Sequence, residues 1–264
     1  MRNVFITDDD IILGQEVGAG SNGSTHIAYY DDEKVAVKMY WNSNIMTPEL
    51  SSKLITLASD SNEFSNALVV PKFIIGDEEK VNKYVSDFVF GRRMLDFSRA
   101  SIEEKIKILK KVKDVIAEMH KRHNIIHGDL HMSNIMLSYG DVRIIDFDSC
   151  AYDGHELELR LTNDAVNEFV KCNGVNENID WFMFNLITYG FLNKKGTMAS
   201  REEILKGRYG VFESKEMINL CNRVANLSDN ADLLIDLFEE YYLDNKDKFK
   251  NRKKPFMRIL QYHK

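Results

Sequence analysis

The N-terminal third of the chain alternates between apolar stretches and short polar turns at the spacing typical of β-strands. The β-prone stretches cover residues 11–17, 25–30, 35–40, 69–75 and 81–90. A polar turn at 31–34 separates the second stretch from the third, which predicts a hairpin. We therefore expect a small β-rich region at this end of the chain.

Two helices are predicted from the spacing of apolar residues and from their start signals. Thr47 is suited to cap a first turn that contains Pro48, and Ser101 opens a second, longer helix. The apolar positions of the first helix are Leu50, Leu54, Leu57 and Ala58. Those of the second are Ile102, Ile106, Leu109, Val112, Ile116 and Met119. Each set falls on one helix face, so each helix is expected to pack against a core.

The character of the chain changes between residues 90 and 95. Beyond that point short strands are predicted only at 135–137 and 142–145, and the rest of the pattern is helical. The sequence therefore predicts an α+β fold with a β-rich N-terminal lobe over residues 1–90 and a helical C-terminal lobe over 91–264. With only 3 prolines, no proline-rich linker marks a boundary between independent domains.

Composition places the chain among ordinary globular proteins. Of its 264 residues, 44% are hydrophobic and 29% are charged, which argues against disorder. The formal net charge of -6 disfavours a general nucleic-acid-binding role, because such proteins are normally basic. We expect no nucleic-acid partner.

The cysteines and the N-terminus bear on location. Cys150, Cys172 and Cys221 have no paired spacing and leave one over after any pairing, so a reduced environment is expected. The first ten residues turn acidic too early for a secretory signal, and no apolar run is long enough to span a membrane. We predict a cytoplasmic protein without a membrane partner.

A glycine cluster and a lysine mark the first candidate for chemistry. Gly18, Gly20 and Gly23 lie between two predicted strands, where backbone N–H groups are free to face phosphate oxygens. Lys38 ends the apolar run Val-Ala-Val-Lys, and a lysine inside such a strand needs an anionic partner. The alternative is a lysine on an edge strand that extends its ammonium group to water.

The richest polar segment runs from His127 to Asn134 and is followed by Asp146, Phe147 and Asp148. Apolar triplets flank these residues, so Asp129, Asn134 and Asp146 are expected to converge at strand ends. Carboxylate and amide oxygens suit magnesium-assisted phosphoryl transfer. The alternative is a set of turn and cap residues, because Asp and Asn favour turns.

Four motifs follow one another in the chain: the glycine cluster, Val-Ala-Val-Lys, the segment from His127 to Asn134, and Asp-Phe-Asp at 146–148. In this order they resemble the motifs of the protein-kinase-like phosphotransferase superfamily over residues 13–191. The resemblance implies a bilobal fold that binds ATP and Mg²⁺ between its lobes. It implies that Asp129 orients the substrate hydroxyl, that Asn134 and Asp146 hold the metal, and that Lys38 contacts the α- and β-phosphates.

The resemblance extends to further positions. Residues 84–91 are similar to the hinge of the superfamily, which places Asp87 and Val89 at the adenine edge. Residues 180–189 are similar to its buried anchoring helix, with Asp180 at the acidic start. Lys38 would also pair with a carboxylate of the first helix, for which we predict Glu49, with Glu63 as the alternative.

Three residues depart from the family pattern. Gly128 replaces the arginine that pairs with a phosphorylated loop in regulated protein kinases, so activity independent of such phosphorylation is expected. His131 stands where protein Ser/Thr kinases carry lysine, as in enzymes similar to aminoglycoside and choline kinases. Asp148 replaces the last glycine of Asp-Phe-Gly and adds a carboxylate near the metal. No Ala-Pro-Glu follows these motifs.

The spacing between motifs favours a protein substrate. Between Val89 and His127 there is room for a linker and one long helix, whereas small-molecule kinases of this type usually insert further helices there. We therefore predict an atypical protein Ser/Thr kinase. The alternatives are a small-molecule kinase and a pseudokinase. The pseudokinase is disfavoured because all four residues expected to act in catalysis are present: Lys38, Asp129, Asn134 and Asp146.

Overall fold

The computed structural model describes residues 4–42, 44–77, 81–193, 199–228 and 232–250. The strands of the described residues are, in chain order, β1 (Phe5–Ile6), β2 (Ile12–Ala19), β3 (Gly23–Tyr30), β4 (Glu33–Tyr40), β5 (Leu68–Val69), β6 (Pro71–Gly76), β7 (Val81–Asp87), β8 (Arg92–Arg93), β9 (Ile135–Ser138) and β10 (Asp141–Ile145).

The helices follow mainly after the strands. In chain order they are α1 (Pro48–Ser59), α2 (Ile102–His123), α3 (Asp164–Asn173), α4 (Asn178–Leu192), α5 (Arg201–Leu205), α6 (Lys215–Ala225), α7 (Leu234–Asp244) and α8 (Lys246–Lys250). Short 3₁₀ helices lie at Asp8–Asp10, Met94–Phe97 and Leu159–Leu161. This order confirms the predicted α+β fold, with its β-rich N-terminal part and its helical C-terminal part. Residues 251–264 of the predicted helical lobe lie outside the described residues.

Two sheets organise the strands. The first has the order β1-β6-β7-β4-β3-β2, and the second has the order β5-β10-β9-β8. The hairpin predicted at 31–34 joins β3 to β4, and its turn residues Asp31 and Asp32 have φ values of 50° and 63°. Positive φ at both positions gives a turn whose twist suits an antiparallel pair.

The single strand predicted at 69–75 is divided between the two sheets, so this prediction is wrong in detail. Leu68 and Val69 pair with Ile144 and Ile145 in the second sheet. From Pro71 onward the chain pairs with β7 in the first sheet. Proline lacks a backbone N–H and restricts the residue before it, so the ladder with β10 does not continue through this point.

The predicted helix starts are confirmed. The hydroxyl of Thr47 accepts a hydrogen bond from the Leu50 backbone N–H at 3.2 Å, and Ser101 caps α2 through the Glu104 backbone N–H, also at 3.2 Å. The predicted apolar faces of α1 and α2 are buried, apart from the partly exposed Ile102 at the start of α2.

The largest core lies in the helical part and is continuous with the β-rich part. It is centred on α4, in which nearly every side chain is buried. Leu57, Leu68 and Val70 reach into the same core from the N-terminal side of residue 90. The second sheet therefore rests on a shared core, and this fixes the loops at the ends of β9 and β10 relative to the first sheet.

Two further predictions from the sequence concern membrane-spanning helices and the cysteine thiols. None of the helices in the described ranges has the length and hydropathy needed to cross a bilayer. Cys150, Cys172 and Cys221 are free thiols, of which only Cys172 is exposed.

Candidate functional site

The glycine cluster forms the turn between β2 and β3. The Gly20 backbone N–H donates to the Gly23 carbonyl at 2.9 Å, and the Trp41 indole N–H donates to the Gly20 carbonyl at 3.0 Å. A Cβ at Gly23 would lie 2.2 Å from the carbonyl oxygen of Met39, so this position requires glycine. A Cβ at Gly20 would meet nothing within 4 Å, which leaves the turn open to a ligand.

Lys38 lies in the middle of the first sheet and reaches toward the loop after β10. Its ammonium group pairs with Asp146 and lies 2.7 Å from Oδ2 of Asp148. Burial acts to lower the pKa of Lys38, but the two carboxylates outweigh burial and raise that pKa well above the ordinary lysine value. The predicted anionic partner of Lys38 is therefore present, and the alternative of an edge lysine directed to water is wrong.

Asp146 and Asp148 stand in different environments within this cluster. Burial acts to raise the pKa of Asp146, yet Lys38 overcomes burial and holds this pKa below the ordinary value. Burial and the neighbouring charge of Asp146 raise the pKa of Asp148. The Tyr40 hydroxyl donates to Asp148 Oδ2 at 3.1 Å, and the Tyr84 hydroxyl lies 3.5 Å from Asp146.

His127 connects the polar segment to the end of β10. Its Nδ1 accepts from the Asp129 backbone N–H at 3.2 Å, so the proton is assigned to Nε2, which donates to the Ile145 carbonyl at 3.0 Å. The ring is fully buried and lies edge-on to Phe147 at a centroid distance of 4.9 Å. His127 therefore fixes the position of Asp129 relative to Asp146.

Asp180 anchors this segment from the helical core. Its carboxylate is fully buried and accepts hydrogen bonds from the backbone N–H groups of His127 at 2.8 Å and Gly128 at 2.9 Å. His120 Nε2 also lies 2.8 Å from it. These contacts join the first turn of α4 to the segment that carries Asp129.

Asp129 is held from two sides while its carboxylate stays accessible. Asn134 Nδ2 donates to the Asp129 backbone carbonyl at 3.0 Å, and Asn163 Nδ2 donates to Asp129 Oδ1 at 3.3 Å. His131 Nε2 lies 3.6 Å from Asp129 Oδ2. The Asp129 side chain remains 20% exposed, so a substrate hydroxyl has access to it.

The predicted metal ligands are brought to one place. The Ile145 backbone N–H donates to the Asn134 carbonyl at 3.0 Å, which sets Asn134 beside the strand end that leads into Asp146. Within the described residues, no group of three or more His, Cys, Asp or Glu side chains is arranged to hold a metal ion alone. One carboxylate and one amide nevertheless suit Mg²⁺, which usually adds phosphate oxygens and water to a few protein ligands.

The structure does not bring Glu49 to Lys38, and this predicted pairing needs correction. Glu49 is exposed in the first turn of α1, where its charge interacts favourably with the helix dipole. Glu63, the alternative, is also exposed, beyond the end of the helix. The charged residue on the buried face of α1 is Lys53, which is 1% exposed.

The predicted hinge lies where the chain leaves the first sheet. Asp87 is the last residue of β7, and its exposed carboxylate pairs with Lys72 at 2.6 Å. Val89 follows in a half-buried segment without regular structure. The placement of both backbones at the adenine edge remains a prediction from the family resemblance.

Several residues of the site were not predicted from the sequence. Tyr40, Trp41, Tyr84 and Asn163 contact the predicted residues, but each contact joins positions far apart in the chain. Asn163 carried one local signal, since it precedes an acidic helix start and caps α3 by accepting from the Val166 backbone N–H at 3.1 Å. That signal predicts the helix cap but not the hydrogen bond from Asn163 to Asp129.

Known protein sequences include a matching family and several relatives of this chain. The protein kinase domain family matches residues 11–242. The chain is 23% identical to serine/threonine-protein kinase PSK2 of Saccharomyces cerevisiae over 89% of its own length and 24% of the yeast protein. It is 25% identical to dual specificity protein kinase pyk3 of Dictyostelium discoideum over 78% of its length and 16% of that protein.

A third relative is an archaeal protein. The chain is 28% identical to the KEOPS complex subunit Bud32 of Pyrococcus abyssi over 47% of its length and 59% of that protein. The chain thus spans less than two thirds of each of these three relatives.

Proposed function

Because the chain belongs to the protein kinase family, we propose that it is an ATP-dependent protein serine/threonine kinase. The observation that carries this proposal is the convergence of Lys38, Asp129 and Asp146, which come from β4 and from the loops on either side of β9 and β10. Phosphoryl transfer needs positioning and charge neutralisation more than covalent chemistry, and these residues supply both.

Nucleotide binding uses the turn between β2 and β3 and the hinge. The turn at Gly20 leaves the space of a side chain free for the phosphates, while Gly23 and Trp41 hold the turn in place. Lys38 provides a permanent positive charge for the α- and β-phosphates. The backbones of Asp87 and Val89 provide hydrogen bonds to the adenine edge.

Asp129 acts on the acceptor. Its carboxylate orients the substrate hydroxyl and accepts its proton, and the amide of Asn163 holds that carboxylate in place. Asn134 and Asp146 would hold Mg²⁺, which neutralises the charge of the transferring phosphoryl group when bound.

Two observations support a protein acceptor. The relatives PSK2 and pyk3 are named protein kinases. Between the hinge and His127, in the described range 81–193, the chain forms only the short strand β8, the 3₁₀ helix Met94–Phe97 and α2. That stretch contains no inserted helices that would build a pocket for a small acceptor.

A small-molecule acceptor is the second candidate. It is favoured by His131, which takes the place of the usual lysine and lies 3.6 Å from Asp129.

A cytoplasmic location also stays a prediction, supported by the free thiols of Cys150, Cys172 and Cys221.

Incubation with γ-labelled ATP and Mg²⁺ tests the acceptor class. The protein is mixed in parallel with a panel of generic protein substrates and with a panel of sugars, aminoglycosides and choline. We expect label on serine or threonine of the added protein or of the enzyme itself, and none after Asp129→Ala substitution. Label only in a low-mass product would contradict the protein-kinase proposal and support the second candidate.

A further inference from the structure

Lys38 receives both of its carboxylate partners from one loop. We propose that Asp148, rather than an acidic residue of α1, is the positioning residue that holds Lys38 toward the nucleotide phosphates. This inference rests on the proposed function, since it concerns the same ATP site. It gives a role to the carboxylate that departs from the family's Asp-Phe-Gly pattern.

The contacts of Asp148 are those of a residue built to hold a cation. Its side chain is 5% exposed, and its Oδ2 lies 2.7 Å from Lys38 Nζ. The same oxygen accepts the Tyr40 hydroxyl at 3.1 Å. Tyr40 lies two residues after Lys38 on the same strand, so one carboxylate oxygen binds two successive side chains on one face of β4.

The mount of Asp148 is rigid. The preceding residue, Phe147, is fully buried in the main core against His127. The hydroxyl of Ser149, the following residue, donates to the His127 carbonyl at 3.0 Å. Asp148 is therefore fixed by the same buried histidine that positions Asp129, and it presents its carboxylate from the core side of the site.

Helix α1 offers no acid in the corresponding place. Its only acidic residue, Glu49, is exposed at the start of the helix. The buried face instead carries Lys53, whose ammonium group donates to the Glu156 carbonyl at 2.6 Å and lies 3.9 Å from Glu158. A second cation on this face provides no counter-charge for Lys38.

The two carboxylates around Lys38 have different further partners. Asp146 pairs with Lys38 and, by the family pattern, also binds the metal. Asp148 contacts Lys38 and a neutral phenol, so its charge remains available to Lys38 when the metal site is in use. A buried ammonium group that loses its counter-charge is strongly disfavoured, and Asp148 prevents that loss.

The test separates a role through Lys38 from a role through the metal. ATP affinity is measured by calorimetry in the presence of EDTA and again across a Mg²⁺ titration, for the wild type, Asp148→Asn, Lys38→Met and the double variant. We expect Asp148→Asn and Lys38→Met each to weaken metal-free ATP binding about tenfold. The double variant is expected to be no weaker than Lys38→Met alone.

Further variants control for folding and charge. Asp148→Glu should recover part of the affinity because it restores the charge, and Tyr40→Phe should give a smaller loss in the same direction. The matched control is Asp141→Asn, at the 72% exposed start of β10, which should bind ATP like the wild type. Thermal unfolding of each variant shows that it is folded under the assay conditions.

Three results would overturn the inference. The first is a metal-free ATP affinity of Asp148→Asn equal to that of the wild type. The second is a loss of ATP affinity in the double variant that equals the sum of the two single losses. The third is a binding defect of Asp148→Asn that excess Mg²⁺ removes, since this would make Asp148 a metal ligand. If these occur while the wild type still phosphorylates protein, only this inference fails. A wild type that binds no ATP contradicts both the inference and the proposed function.

Discussion

The carboxylate of Asp180 accepts a hydrogen bond from the backbone N–H of Gly128 at 2.9 Å, so the buried helix α4 holds the turn that presents Asp129. Gly128 has a φ of +75°, and a Cβ there would lie 2.1 Å from Cδ1 of Leu157. Its place in the fold therefore explains why this chain has glycine where the family usually has arginine.

Restoring the arginine should harm the enzyme. Gly128→Arg forces a side chain into a left-handed backbone and against Leu157, so we expect a loss of about 1–3 kcal/mol in the free energy of unfolding. Urea denaturation measures this loss, with Gly128→Ala as the variant that isolates the backbone and Cβ contribution. Gly128→Arg with wild-type stability would show that the turn is not constrained as described.

Asn163 should affect the chemical step more than nucleotide binding. Removing its amide frees the Asp129 carboxylate, so kcat should fall about tenfold in Asn163→Ala while the KM for ATP stays within about twofold. Asn163→Ser retains a capping oxygen for α3 and should show the same fall in kcat without a loss of thermal stability. An unchanged kcat in the serine variant would contradict this role.

Trp41 should control the glycine turn. Trp41→Phe keeps an aromatic ring but removes the N–H that donates to Gly20, so the KM for ATP should rise about three- to tenfold with kcat nearly unchanged.

Fluorescence gives a second measurement of the same contact. The chain has 2 tryptophans, and the other one, Trp181, packs beside His120. The Trp181→Phe variant therefore leaves Trp41 as the single indole. ATP should then change the emission of Trp41. No change in this emission, together with a normal KM for the Trp41→Phe variant, would count against the contact.

Activity should not depend on phosphorylation of the segment after Asp148. Side chains already tie that segment to the region of α1: Tyr152 donates to Asp60 at 2.9 Å, Thr56 lies 3.0 Å from His155, and Arg160 donates to the Ile45 carbonyl at 2.8 Å. Phosphatase-treated and untreated enzyme should therefore have equal kcat. A large loss after phosphatase treatment would show that a phosphate completes the site.

The pair of Lys38 and Asp146 predicts a pH dependence of stability. Lys38 holds the pKa of Asp146 below the ordinary 3.8, so the pair stabilises the fold above that pH, and this contribution is lost as the pH falls through the depressed value. Lys38→Met should lower Tm at pH 7, and the difference from the wild type should shrink near pH 3. A difference that stays constant or grows toward acid pH would contradict the assignment.

The sequence placed Lys38, Asp129, Asn134 and Asp146 at one site because its motifs are local and ordered, and their roles stay predictions. Asp129 and Asn134 lie five residues apart, and the Asn134 side-chain amide holds their turn by donating to the Asp129 carbonyl within the motif itself. The hairpin of β3 and β4 and the faces of α1 and α2 follow from periodicity and caps. These features depend on residues close together in the chain, so they can be predicted from the sequence without knowledge of the tertiary structure.

The contacts that the sequence missed are long-range. Lys38 and Asp148 are separated by 110 positions, and no local pattern indicates that Asp148 meets the lysine. The prediction of Glu49 assumed that α1 supplies the counter-charge. The helix instead buries Lys53 and leaves its acid at the solvent-exposed first turn. Likewise, only the packing shows that the stretch around Val70 passes from one sheet to the other.

Asp129 is proposed to carry phosphoryl transfer at a site that binds ATP independently of it. The most direct measurement is single-turnover transfer from γ-labelled ATP to protein hydroxyls, made with wild type and Asp129→Asn at saturating ATP, alongside ATP affinity. We predict an affinity within about twofold of the wild type and a transfer rate at least about 100-fold lower for the variant. Transfer by Asp129→Asn at the wild-type rate would contradict this role.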